Sequence, residues 1–197
     1  MKNKPLLLSI TLLVSACAVS RVDPMSVPLS YSPDKAHTQS IGPLSCNTVA
    51  LVDVSDARAD KATLGTRTHE SLPLKAEVTT ASNVASWVES GLHAMLSQNG
   101  ITHGDGPKLV VSLDSLRTSE SIWHRSSYEA HITLTGRLEN SAGKVCWSET
   151  VQGAGGNYGY SGSEVNYQET LNRALDAADL NLLKQQSFKE ALCSCGS

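Results

Sequence analysis

Two stretches of helical period, separated by stretches of strand period, most constrain what this chain can fold into. Val84, Trp87, Val88, Leu92, Met95 and Leu96 fall at i, i+3, i+4, i+8, i+11 and i+12, a single apolar stripe. Asn83 stands where an N-cap side chain is needed, and Asn99-Gly100 stands where a helix ends. A second stripe of Tyr167, Leu171, Ala174, Leu175, Ala178 and Leu182 runs through residues 164–186. Such stripes bury themselves against another layer, and the remaining segments supply it. TVALVDV at 48–54 is β-branched and nearly continuous in apolar residues, and a further strand is expected at 108–116. Tyr128, Ala130, Ile132, Leu134 and Leu138 share one face of the next, and Asn140-Ser141-Ala142-Gly143 turns it into a strand at 144–152. The order β-α-β-β-β-α predicts an α+β domain, a mixed sheet with two helices packed on one face. The first helix then crosses between two parallel strands. Residues 55–78, rich in charge and turn formers, read as a long loop or irregular hairpin.

The amino terminus sets the compartment. Lys2 and Lys4 precede an apolar run from Leu6 to Val14 and the small residues Ser15-Ala16, the pattern of a secretion signal. The run at 5–16 is 12 residues long, short of the roughly 20 a membrane-spanning helix needs. Val14-Ser15-Ala16-Cys17 resembles the bacterial lipobox, which implies removal of residues 1–16 and lipidation of Cys17. Several acyl chains on one residue anchor a protein stably, where one alone holds it only reversibly. Ala18 stands where lipoproteins retained in the inner membrane commonly carry aspartate, which favours the outer membrane and its periplasmic face. Residues 17–43 hold prolines at 24, 28, 33 and 43 without sustained apolar periodicity and are expected to form a flexible tether. Fully extended, the stretch after Cys17 reaches on the order of 80 Å, and as a coil about 30 Å. Residues 44–197 remain as one folded domain.

Composition narrows the function. Hydrophobic residues at 40% and charged residues at 18% describe a globular chain. The formal net charge of −3 includes Lys2 and Lys4, so the mature chain is more acidic still, which argues against nucleic acid as a partner. Beyond Cys17 there are four cysteines, Cys46, Cys146, Cys193 and Cys195, an even number suited to disulfides in an oxidising compartment. Three pairings are possible, and a bridge joining the two ends of the domain is preferred. The spacing lacks the paired C-x-x-C of a zinc site, and no thioredoxin pattern surrounds Cys193-Ser194-Cys195. The six histidines, at 37, 69, 93, 103, 124 and 131, show no metal-ligand spacing, and His93 reads as a helix-boundary residue. No G-x-S-x-G elbow is present. Residues 153–162, GAGGNYGYSG, fit neither phosphate-binding glycine pattern and read as a surface loop whose Tyr158 and Tyr160 contact a partner. Asp56, Arg58 and Asp60 follow a strand end. They form either a binding edge, with Arg58 offering its planar fork of donors, or a salt-bridged loop that holds its own turn.

The stretch Asp56-Ala57-Arg58-Ala59-Asp60-Lys61-Ala62 after the first strand, the helix closing on Gly100, the strand pair around Tyr128, the final helix with Asn172 and the lipobox together resemble the YajG-type lipoproteins of Gram-negative envelopes. That resemblance implies a lipid-anchored outer-membrane protein and assigns no chemistry; the four additional cysteines depart from it. The element order is also similar to that of outer-membrane lipoproteins that activate peptidoglycan synthases, an analogy of fold without residue assignments. The function expected is a non-catalytic binding or accessory module for an envelope protein or peptidoglycan, with no cofactor. The alternative is an activator of peptidoglycan synthesis or an enzyme acting on the cell wall through Asp56 or Asp60.

Overall fold

The computed structural model describes residues 21–33, 41–42 and 44–195; the leader at 1–16 and Cys17 lie outside the described residues. Seven strands and three helices follow in the order β1 (Met25–Ser26), β2 (Thr48–Asp56), β3 (Thr63–His69), β4 (Lys75–Thr79), α1 (Val84–Gln98), β5 (Thr102–Ile122), β6 (Ser126–Glu139), β7 (Val145–Gly159), α2 (Glu164–Lys184) and α3 (Gln186–Ser194). They make one mixed sheet in the order β1-β4-β3-β5-β6-β7, with β2 pairing β5 as well. β2 and β3 are both parallel to β5 and share one of its edges in succession, β2 from Thr102 to Leu113 and β3 from Thr118 to Ile122. A shift in register between Leu113 and Ser115 marks the changeover. The α+β class, the mixed sheet and the parallel pair around α1 are as the sequence predicts.

Local chemistry explains the ends of the helices. The Asn83 side chain accepts from the Ser86 amide at the start of α1, and Gly100 takes a positive φ of 74° just past its end. Every member of the α1 stripe is buried. So are Tyr167, Leu171, Ala174, Leu175, Ala178 and Leu182 of α2, packed on the face of β6 formed by Tyr128, Ala130, Ile132, Leu134 and Leu138. The second helix ends at Lys184, and a third, α3, packs Phe188 edge-on against Trp147 at 5.2 Å.

Three departures from expectation have physical causes, and one open reading is decided. Of the two readings of residues 55–78 the hairpin holds: β3 is held by pairing to β5 rather than by apolar periodicity, and β4 lies between β3 and β1. The second predicted strand, β5, runs on to Ile122 because each half of it gains a different parallel neighbour. The glycine-rich stretch is the second half of β7, paired to β6 as far as Ser126↔Gly159. Its glycines let α2 lie close: a Cβ on Gly153 would stand 2.1 Å from the Ala174 carbonyl oxygen, and one on Gly155 2.2 Å from that of Thr170. Lastly, residues 21–33 of the expected tether pack on the domain. β1 pairs with β4, Val27 is buried, the Leu29 amide donates to Ser82 Oγ at 2.9 Å, and Tyr31 Oη donates to Asp176 at 2.7 Å. Proline favours an extended chain and is tolerated on an edge strand, so Pro24, Pro28 and Pro33 suit this strap as well as they suit a coil.

One group in α2 opposes the fold. Asp179 is buried, and neither carboxyl oxygen has a hydrogen-bond partner among the described residues. Burial pushes its pKa well above the ordinary carboxylate value, and the charge of Asp176 adds to this. A raised folded-state pKa means full stability at low pH and a decline as pH rises toward the shifted value. Asp179→Asn should therefore raise the unfolding free energy by about 1–3 kcal/mol at pH 8 and leave it unchanged near pH 3. Urea melts of the two proteins across that range measure the difference.

Candidate functional site

Among the described residues the helices cover only one face of the sheet. Gly136 on β6 lies against Leu182 of α2, so the even-numbered residues of β6 face the helices and the odd-numbered ones face away. On the uncovered face Ser115 Oγ donates to Thr133 at 2.9 Å, Ser112 Oγ donates to Asp114 at 2.8 Å, and the Thr135 hydroxyl bridges Asp114 and Thr150. This carpet of hydroxyls opens into a cleft of about 590 Å³ walled by Arg58, Ala59 and Asp60 and floored by β3, β5 and β6. Arg117, Glu129 and His131 stand exposed in it.

The loop that makes the wall holds itself. Arg58 is 7% exposed, and its guanidinium meets Asp56 through two bonds of 2.9 and 2.8 Å. It also donates to the Lys61 and Thr63 carbonyls at 3.0 and 3.3 Å. Asp60 accepts the Ala62 and Thr63 amides, both at 3.0 Å. Burial pushes the Asp56 carboxyl up, but the bonds and charge of Arg58 outweigh it and hold the pKa below its usual value. Hydrogen bonds from Thr63 and Ala62 do the same for Asp60. The expectation that Arg58 offers its fork to a partner is thus corrected: the fork is spent on Asp56 and the loop's own carbonyls. Arg58→Ala should lower stability by about 3 kcal/mol, since it leaves Asp56 half-paired and two carbonyls without a donor. Arg58→Lys should recover only part of it, because an ammonium cannot bridge both carboxylate oxygens. Thermal and urea unfolding check both.

Tyr158 and Tyr160 stand apart from that cleft, at the end of the sheet where β7 gives way to α2. Both are exposed, Tyr160 at 90%. Their backbone is anchored by a buried network the sequence did not announce. Glu120 of β5, fully buried, accepts from Arg67 Nε at 2.8 Å, from Tyr167 Oη at 2.9 Å and from the Gly162 amide at 2.9 Å. Tyr128 Oη donates to the Tyr160 carbonyl and accepts from the Ser163 amide. Burial pushes the Glu120 carboxyl up, yet the Gly162 amide, the Tyr167 hydroxyl and the Arg67 charge hold it below its usual value. Burial and the Glu120 charge push the Tyr167 hydroxyl far up. Arg67 and Glu120 lie opposite one another in the β3–β5 register, which only the pairing reveals.

The cysteines pair as Cys46–Cys193, joining the two ends of the domain, and Cys146–Cys195, fixing α3 to β7. His93 is exposed on α1, 3.9 Å from Glu89. Among the described residues no group of three or more His, Cys, Asp or Glu is placed to hold a metal ion, and no helix is long and apolar enough to cross a membrane.

In class the molecule is an α+β domain with one helix-covered and one hydroxyl-lined face. Its fold is similar to that of a Xanthomonas campestris protein of family DUF330, with a TM-score of 0.52 at 14% identity, covering 87% of this chain and 99% of that one. A minor lipoprotein from Acinetobacter baumannii matches with a TM-score of 0.40 at 16% identity, over 75% of this chain and 96% of that one. No protein-family model matches the sequence, and no curated protein is significantly similar to it.

Proposed function

We propose that this chain is a lipid-anchored lipoprotein on the periplasmic face of the outer membrane, YajG-like in its sequence features, whose domain is a non-catalytic binding or accessory module for an envelope protein or peptidoglycan. The lipobox at Val14–Cys17 and the two disulfides support the compartment. The observation that carries the binding reading is the cleft on the uncovered face, where Arg117, Glu129 and His131 stand exposed among hydroxyls. Against the enzyme alternative, the carboxylates it needs, Asp56 and Asp60, are held by Arg58 and by backbone amides, and their lowered pKa values suit neither a general acid nor a base near neutral pH.

Crosslinking in cells, followed by incubation of the purified protein with peptidoglycan, tests this reading. The expected result is a crosslinked envelope partner, or sedimentation with peptidoglycan, without release of soluble fragments. Arg117→Ala should weaken the capture while changing stability by less than about 0.5 kcal/mol, as for an exposed side chain. Release of soluble cell-wall fragments by the wild type would overturn the non-catalytic reading.

A further inference from the structure

Among the described residues, the exposed large hydrophobics are unevenly distributed. Leu51 and Val145 lie elsewhere, whereas Leu72, Trp123, Tyr158, Tyr160 and Val165 gather at one end of the sheet. The register shows why: His69 pairs with Ile122, Ser121 with Ser127, and Ser127 with Tyr158. The turn at 70–74, the hairpin tip at 123–125 and the loop into α2 therefore stand side by side. Trp123, 51% exposed, meets His69 and His124 edge-on at 6.4 and 4.9 Å, and Arg125 is exposed beside them. Tryptophan and tyrosine on a soluble face carry a broad apolar ring and a polar tip, the combination that settles at the headgroup level of a bilayer.

The direction of the chain brings the anchor to the same end. β1 runs parallel to β4 with Met25 opposite Val78, so residues upstream of Met25 lead back toward Lys75 and the turn at 70–74. Arg67 fixes the point of exit: Nη1 donates to the Asp23 carbonyl at 3.0 Å and Nη2 to Ser161 Oγ at 3.2 Å, in the loop that carries Tyr160. From Arg21 back to Cys17 the chain spans four residues, at most about 14 Å. The acyl chains are thus held within that distance of Arg21, at the aromatic end.

We propose that this aromatic rim rests directly on the bilayer that holds the acyl chains of Cys17, so that the domain is apposed to the membrane with its hydroxyl-lined cleft alongside. The inference rests on the reading of Cys17 as the lipidated residue. The Glu120 network holds the Tyr160 loop in place before contact, so seating the rings orders little that was free. Residues 21–33, packed on the domain, contribute none of the reach expected of a tether.

The full lipoprotein, reconstituted in phosphatidylethanolamine–phosphatidylglycerol vesicles with brominated acyl chains, tests the proposal, and intact mass reports lipidation in the same sample. Trp87 and Trp147 are buried, which leaves Trp123 as the tryptophan open to contact quenching. The wild type should lose emission relative to unbrominated vesicles, and Trp123→Phe should lose none. A lipidated protein whose emission is indifferent to bromine overturns the docking while leaving the anchor standing. A mass showing unmodified Cys17 overturns the anchor reading and the proposal with it. A photocrosslinking phenylalanine analogue at Tyr160 in cells should yield phospholipid adducts; protein adducts in their place would overturn the bilayer as occupant.

Discussion

Replacing Cys46 and Cys193 together by serine should lower the unfolding free energy by about 4.7 kcal/mol, the entropy a cross-link removes from an unfolded loop of roughly 100 residues. The bond spans 147 residues of sequence, but the Cys146–Cys195 bond shortens the unfolded path between its ends to the stretch from Cys46 to Cys146 and back from Cys195. A loss of that size is a large fraction of a domain's whole stability, about 5–15 kcal/mol. Urea melts of the oxidised double variant against wild type measure it. Alkylation of denatured, unreduced protein should find no free thiol among the four cysteines. An unchanged midpoint would mean that the two ends of the domain are held as firmly by packing alone.

Glu120→Gln should cost about 3–5 kcal/mol, because it leaves the Arg67 guanidinium buried against an uncharged amide. The loss belongs to neutral pH. The folded-state pKa of Glu120 is lowered, so its contribution is present above the unfolded value and fades as pH falls through the folded one. Melts of wild type and variant should draw together as pH falls below the ordinary glutamate value and meet only once the buried carboxyl has taken up its proton. Substituting Arg67→Met in the same chain should recover part of the loss at pH 7, since no unpaired charge is then buried. If Glu120→Gln alone leaves the melt unchanged at pH 7, the network does not secure the loop between β7 and α2.

What the sequence revealed and what it concealed divide along a physical line. The α1 and α2 stripes, their caps and the alternation of β6 are local patterns, and each is buried where periodicity puts it. The bridge between the domain's ends is legible in the positions of Cys46 and of the Cys193-Ser194-Cys195 pair, but which of the two cysteines takes it is decided by the fold. For residues 55–78 the choice between loop and hairpin stays open in the sequence, because Thr63 to His69 carries glycine, arginine and threonine and becomes a strand only beside β5, some fifty residues on. For the same reason Arg67 and Glu120 look like solvent charges until register sets them face to face. The glycines of β7 read as slack when they are clearance for a helix that appears later in the chain. At the cleft, Asp56 and Asp60 were visible as a charged group, but the burial of Arg58 depends on the fold of residues 57–63 around it. Trp123 had a readable signal, a tryptophan at the tip between two long alternating segments.

The Cys46–Cys193 bond also decides how this protein bears force. Tension applied between the strap at residues 21–33 and a point beyond α3 enters along the strap, crosses the sulfur–sulfur bond from Cys46 to Cys193 and leaves through the end of α3. The sheet and both long helices lie off that load path. Among the described residues the short β1 pairing to β4, the contacts of Val27, Leu29 and Tyr31, and the bonds from Arg67, Gln168 and Asn172 to the strap's carbonyls stand in series with the pull, so the strap peels away first and the domain behind it stays folded. A tug that would unravel an unbridged sheet strand by strand instead lengthens the leash and spares the body, and reduction of one covalent bond is what removes that protection.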